Sequence, residues 1–101
     1  LYDGCIKFMN LAKIGIQEKN IQKANENLIK AQNIITELDS TLNMDVEISK
    51  NFHMLYDFAL SRLIDANIQK KEEFVDDAKM VIVDLRDGWK EAMIIVRKGQ
   101  Q

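Results

Sequence analysis

The absence of proline is the feature that most constrains how this chain folds. Its 101 residues include no proline and only four glycines, so almost nothing forces a long helix to stop. Hydrophobic residues make up 47% and charged residues 30%, which is typical of a globular protein rather than of a disordered one. The sequence therefore predicts one domain, residues 1–101, built from long helices.

Apolar residues recur at intervals of three and four along four segments, which is the spacing of amphipathic helices. The predicted helices span about residues 1–18, 21–42, 46–67 and 71–97. Asn20 and Asp45 are the predicted N-caps of the second and third helices. Short connections make neighbouring helices antiparallel, so the predicted fold is all-α, an antiparallel up-down four-helix bundle.

Each predicted helix has one apolar stripe that faces the core. The four stripes are Tyr2, Cys5, Met9, Ala12 and Ile16; Ile21, Ala24, Leu28, Ala31, Ile35, Leu38 and Leu42; Ile48, Phe52, Leu55, Ala59, Leu63 and Ala66; and Phe74, Ala78, Val81, Leu85, Ala92 and Val96. Cys5 lies on its stripe and is predicted to be a small core residue.

A second set of apolar residues lies away from these stripes on a helical wheel. Its members are Phe8, Leu11, Ile14, Ile29, Ile34, Met54, Phe58, Met80, Val83 and Ile94. A bundle buries one stripe per helix, so we expect much of this set to be exposed and a partner to cover it. Three alternatives stay open. A homo-oligomer would bury the same surface, a residue near its stripe, such as Ile29, can widen the core, and the N-terminal stretch that we expect to be missing could fold back over the first helix and cover Phe8 or Leu11.

Two aromatic residues lie close to the stripes. The wheel positions of Trp89 and Tyr56 favour the core or its edge, although both have the size and the polar atom of an interface anchor, and Tyr56 is kept among the candidate partner-binding residues. Gly88 precedes Trp89 and would let another helix approach closely.

The residues that catalysis requires are missing from this sequence. One histidine and one cysteine lie on different predicted helices, which excludes the usual zinc sites, and no glycine-rich phosphate loop is present. His53 is predicted to be a boundary residue, because Lys50 stands three residues before it and a Glu-x-x-His motif is absent. We therefore predict a protein that is not an enzyme and has no catalytic residues, no metal site and no cofactor.

Charge and hydropathy narrow the location and the partners. The net charge is −2 and the 14 basic residues are scattered, so nucleic acid is not expected as a partner. No apolar run approaches the roughly 20 residues that span a bilayer, so membrane insertion is not expected either. A single cysteine favours a reducing cytoplasm. Because the chain starts at Leu1 rather than at a methionine, we expect that a natural N-terminal stretch is missing.

Five short motifs, in order along nearly the whole chain, resemble those of the FliS family of flagellar export chaperones. They are residues 1–4 (Leu-Tyr-Asp-Gly), 34–38 (Ile-Ile-Thr-Glu-Leu), 51–57 (Asn-Phe-His-Met-Leu-Tyr-Asp), 63–67 (Leu-Ile-Asp-Ala-Asn) and 85–89 (Leu-Arg-Asp-Gly-Trp). Phe52 stands where the family more often has leucine.

The resemblance implies an antiparallel helical bundle that acts without ATP. It further implies a cytoplasmic chaperone that binds the disordered C-terminal segment of flagellin, prevents premature polymerisation and helps delivery to the flagellar type III export gate. Family members carry an extension before the Leu-Tyr-Asp-Gly motif. A partner of this kind implies a monomer or a weak homodimer, whereas the alternative functions are a homo-oligomeric bundle or an adaptor for another amphipathic helix.

Overall fold

Four helices make up most of the chain in the computed structural model, which describes the backbone of residues 1–99 and the side chains of residues 1–90. They are α1 (Tyr2–Gln17), α2 (Ile21–Ser40), α3 (Glu47–Gln69) and α4 (Glu72–Gly99). Each end lies within about two residues of its predicted position, as is usual for helix boundaries. None of the helices in the described part of the chain has an apolar stretch that could span a bilayer.

Each helix packs against two neighbours, in the cyclic order α1, α2, α3, α4 and back to α1. Three side-chain contacts set the register of α1 and α4: Asp3 with Arg86, Lys13 with Asp76, and Gln17 with Glu72. Along these three contacts the residue number in α4 falls as the residue number in α1 rises, so the two helices are antiparallel. The predicted antiparallel up-down bundle is confirmed.

The predicted N-caps have different outcomes. Asn20 caps α2, because its Oδ1 accepts a hydrogen bond of 3.1 Å from the Lys23 N–H. The prediction for Asp45 is wrong, since the N-cap of α3 is Val46 and no side chain caps this helix. The Asp45 N–H instead donates to Asn43 Oδ1 at 3.1 Å, within the turn that precedes α3.

The core contains residues from all four helices. Its buried apolar members are Cys5, Met9 and Ala12 from α1; Ala24, Leu28, Ala31 and Ile35 from α2; Tyr56, Ala59, Leu63 and Ala66 from α3; and Val75, Ala78, Ile82 and Leu85 from α4. The burial predicted for Cys5 is confirmed, and burial raises the pKa of its thiol to about 12.

The predicted stripes are wrong in phase at several positions. Ile48 and Leu55 are exposed on α3, while Ser49 and Tyr56 are buried. The buried side of α3 alternates intervals of three and four, an average of about 3.5 residues per turn, as in helices that coil around one another. A straight-helix wheel drifts from that spacing, so it also missed the buried Val75 and Ile82 on α4.

Ile21 was placed on the α2 stripe but is 65% exposed, since it is the first residue of the helix and lies at the end of the bundle. The stripe positions Ala92 and Val96 lie outside the residues whose side chains are described.

Candidate partner-binding surface

An apolar cavity of about 410 Å³ opens between the start of α3 and the later part of α4. We call it the α3–α4 groove, and its lining residues are Ile48, Phe52, Asp84, Leu85, Gly88 and Trp89. Ile48 is 58% exposed and Trp89 is 52% exposed, so two large apolar side chains face solvent on its walls. Asp84 is the one charged residue of the lining. The shape and the chemistry suit an apolar helix face.

A second cavity of about 400 Å³ adjoins the groove between the end of α2 and the start of α3. It shares Ile48, Phe52 and Trp89 with the groove, and Leu38 and Leu42 extend its apolar lining onto α2 and the following turn. A smaller cavity of about 290 Å³ lies on the other side of Trp89, next to Leu1 and Tyr2. The three cavities therefore form one surface around Trp89.

Hydrogen bonds and an ion pair fix the walls of this surface. The hydroxyl oxygens of Tyr2 and Tyr56 lie 2.5 Å apart, which joins α1 to α3. Burial, and next the hydrogen bond with Tyr2, raise the pKa of the Tyr56 hydroxyl, so it remains protonated at neutral pH. Arg86 Nη1 donates to Asp3 Oδ1 at 2.9 Å, joining α4 to α1, and this bond lowers the pKa of Asp3.

Three of the five sequence motifs meet at this surface. Residues 1–4 contribute Tyr2 and Asp3, residues 51–57 contribute Phe52 and Tyr56, and residues 85–89 contribute Arg86 and Trp89. The bundle brings them together because the start of α1, the first half of α3 and the later part of α4 lie at the same end.

A cluster of His53, Asp39 and Asp57 lies on the α2–α3 side of the bundle. His53 Nδ1 is 2.7 Å from Asp39 Oδ1, and His53 Nε2 is 3.4 Å from Asp57 Oδ2. The hydrogen bond with Asp39 is the largest cause of a raised pKa at His53, followed by the charges of Asp39 and Asp57. One ligating atom from each of the three residues lies within 4.8 Å of the other two, a spacing that could hold a metal ion. The sequence analysis did not predict this cluster, because Asp39 is distant from His53 and Asp57 along the chain.

The predicted partner-binding residues do not form one site. Five are exposed on different helices: Ile14, Ile29, Met54, Phe58 and Met80. Four are half-buried, namely Phe8, Leu11, Ile34 and Val83, and of these Phe8 and Ile34 pack against the core. Ile94 lies outside the residues whose side chains are described.

Tyr56 lies in the core, as its wheel position predicted, because it is only 3% exposed and its hydroxyl bonds to Tyr2; a direct contact with a partner stays a prediction. Its place on the 3.5-residue spacing of α3 buries the ring, so it supports the surface from within.

Trp89, unlike Tyr56, departs from its predicted place in the core or at its edge, because it is 52% exposed. It continues the spacing of Val75, Ala78, Ile82 and Leu85 along α4, but at the end of the bundle, where it lines the cavities instead. No described helix of this chain approaches Gly88, because a Cβ there would meet no atom within 4 Å, so close approach of a partner helix to Gly88 stays a prediction. A glycine inside a helix beside a tryptophan is the signal that could have indicated this groove.

Comparisons with known proteins agree with the motifs. A family model described as flagellar protein FliS matches residues 1–96. The chain is 43% identical over 100 residues to the flagellar secretion chaperone FliS of Bacillus subtilis (strain 168), an alignment that covers 99% of this chain and 75% of that protein. It is 33% identical over 91 residues to the protein of the same name from Vibrio cholerae, covering 88% of this chain and 67% of that protein. For the Escherichia coli (strain K12) relative the identity is 29% over 98 residues, covering 93% and 71%.

Proposed function

This chain belongs to the FliS family of flagellar secretion chaperones, and we propose that it binds the disordered C-terminal segment of flagellin and so prevents premature polymerisation. The family itself gives the chain a chaperone role in flagellar export and points to a non-enzymatic protein. The proposal has three finer parts: that the partner is the C-terminal segment of flagellin, that this chain acts in the cytoplasm, and that it helps to deliver flagellin to the type III export gate.

The α3–α4 groove is the observation that carries the proposal. Its walls expose Ile48 and Trp89, and its floor contains Phe52 and Leu85. An exposed apolar surface of this kind marks an interaction site, and a groove with apolar walls suits the apolar face of an amphipathic helix. A segment that is disordered when free can fold into such a helix as it binds.

The exposed residues outside the groove fit a segment that wraps around the bundle. Met54 and Phe58 are 68% and 46% exposed on α3, and Met80 is 66% exposed on α4. Methionine side chains adapt their shape to a helix laid against them. A disordered partner can cover several such patches at once, so we include these residues with Ile14 and Ile29 in the proposed contact surface.

Isothermal titration with a peptide of the flagellin C-terminal segment tests the proposal. We expect one-to-one binding, a negative heat-capacity change and a gain of peptide helicity, because apolar burial and folding accompany association. Trp89→Ala should weaken binding about thirtyfold or more, the size of an interface hot spot, and should leave thermal stability nearly unchanged.

Ile64→Ala is the matched control, since Ile64 is 44% exposed on α3 but does not line the groove. Equal losses of peptide affinity in Trp89→Ala and Ile64→Ala would show that the groove is not part of the interface. No heat at tens of micromolar, from a chain that forms a stable oligomer in sedimentation, would contradict the proposed function.

A further inference from the structure

A separate pocket of about 380 Å³ lies at the other end of the bundle, where the α1–α2 turn meets the end of α3. We call it the turn pocket, and its lining residues are Gly15, Ile16, Lys19, Asn20, Ile21, Ala24 and Lys70. Four of these residues are apolar or lack a side chain, and two are lysines. The pocket therefore combines an aliphatic floor with cationic groups, which the groove does not.

Both lysines occupy a backbone conformation that favours glycine. Lys19 has φ 58° and Lys70 has φ 54°, and they are the only non-glycine residues with positive φ among residues 1–99. Glycine is the usual residue at such helix ends because it has no Cβ to strain. The backbone therefore does not explain why lysine stands at both positions of one pocket.

The ammonium group of Lys70 is held in place but is not neutralised. It donates to Asn25 Oδ1 at 2.6 Å, to Asn67 Oδ1 at 2.7 Å and to the Asn67 carbonyl. All three acceptors are neutral oxygens, and no carboxylate among the described residues forms a salt bridge with Lys70. The partial negative charge at the C-terminus of α3, where Lys70 is the C-cap, offsets part of this charge. The rest of a half-buried cation without a counter-ion leaves a positive potential in the pocket wall.

Two further groups add to this potential. The Lys19 side chain is exposed and makes no hydrogen bond or salt bridge with another described side chain. The N-terminus of α2 begins at Ile21 on the pocket wall, and the helix dipole places partial positive charge there. The opposing C-terminus of α1 is satisfied, because the carbonyls of residues 14–16 accept hydrogen bonds from the amides of the α1–α2 turn.

The neighbouring acids lie outside the pocket lining. Glu18 is 3.4 Å from Lys23 Nζ, and Glu72 keeps its charge while it accepts a hydrogen bond of 2.6 Å from the neutral Gln17 Nε2. Neither of these carboxylates lines the pocket.

We propose that the turn pocket binds the C-terminal carboxylate of the captured segment, with the last aliphatic side chain on its floor. This inference rests on the proposed function, in which the partner is a C-terminal segment and therefore ends in a free carboxylate. Lys19 supplies the direct contact, while Lys70 and the α2 N-terminus supply the fixed positive field. Ile21 and Ile68, 65% and 75% exposed, extend the aliphatic surface at this end of the bundle.

The test compares two peptides of identical sequence, one with a free C-terminal acid and one with a C-terminal amide. We expect amidation to weaken binding about tenfold, the size of one charge-assisted contact. The Lys19→Gly/Lys70→Gly double variant removes both ammonium groups and suits the backbone, so it should bind the two peptides equally. Lys7→Gln, an exposed lysine on α1 outside the pocket, removes the same type of charge and should keep the tenfold difference.

The double variant also loses the Lys70 hydrogen bonds with Asn25 and Asn67. The single variant Lys19→Gln keeps those bonds and removes the direct contact, so it should reduce the tenfold difference between the two peptides. The inference is overturned when both peptides bind the unaltered chain equally, or when the amide penalty persists in the double variant. In either case the proposed function stands. Failure of both peptides to bind the unaltered chain would contradict the proposed function and this inference together.

Discussion

Two glycines in this molecule have opposite surroundings, one where two helix backbones touch and one in the lining of an open groove. A Cβ at Gly15 would lie 2.7 Å from the backbone nitrogen of Ala24, so α1 and α2 touch where both residues are small. A Cβ at Gly88 would meet nothing within 4 Å. The α1–α2 contact is completed within the chain, whereas the α3–α4 groove keeps apolar walls without a covering group. The difference indicates where a partner can add contacts.

Gly15→Ala should have the largest effect on folding. The added methyl group must push apart two backbones rather than one flexible side chain, and overpacking of this kind costs about 1–3 kcal/mol of unfolding free energy. Urea denaturation followed by circular dichroism measures the change. An unchanged midpoint would mean that moving α1 and α2 apart costs no more than the roughly 0.5–1 kcal/mol that alanine gains over glycine inside a helix, and would contradict tight contact between the two backbones.

Replacing Met54 and Phe58 together by serine should cost less. Both side chains are exposed on α3, although Arg62 lies 5.8 Å above the Phe58 ring and would lose that contact. We expect a loss of about 1 kcal/mol in unfolding free energy, from surface substitutions and one weak cation–π contact. Peptide affinity should fall clearly in the same variant. A loss of several kcal/mol in stability would instead place these residues in the core.

Gly88→Ala should change stability in the other direction. With open space around the added methyl group, replacing glycine inside a helix stabilises the free chain by about 0.5–1 kcal/mol. The same methyl group narrows the floor of the α3–α4 groove, so binding of the flagellin peptide should weaken. A more stable chain with unchanged affinity would show that the partner does not approach Gly88.

The smallest expected effect is a pH dependence at His53, which joins α3 to the end of α2. Its pKa is raised in the folded chain by the hydrogen bond with Asp39, so its stabilising contribution is complete below the unfolded pKa of about 6.5. That contribution is lost as the pH rises through the higher folded pKa. Thermal melts from pH 6 to about 9 should therefore show a decline that His53→Gln lacks. Asp57→Asn, which removes the longer contact, should reduce the decline only in part.

The helices were predictable because their signals are local. Apolar spacing, the absence of proline and short polar connections depend on residues near one another in sequence, and the Asn20 cap is a contact with Lys23, three residues away. The phase of the buried stripe was less predictable, since coiling of the helices shifts it gradually. Ile48 and Leu55 were assigned to the core for that reason.

The candidate surface was only partly predictable. Its concave part depends on which helix ends meet in the bundle, and periodicity alone does not show that Trp89 lies beside Ile48 and Tyr2. Pairs such as Asp39 with His53 join residues on different helices, and no sequence spacing indicates them. The exposure of Met54 and Met80 could be predicted, because both lie far from any stripe.

The buried thiol of Cys5 has a consequence for how this protein responds to oxidants. With a pKa raised to about 12, almost none of it is thiolate at neutral pH, and the thiolate is the nucleophile that attacks peroxides and disulfides. The folded chain should therefore neither crosslink through its cysteine nor be inactivated at it. The rate at which a thiol reagent labels Cys5 then reports how often the bundle opens transiently, and any ligand that stabilises the folded chain will lower that labelling rate.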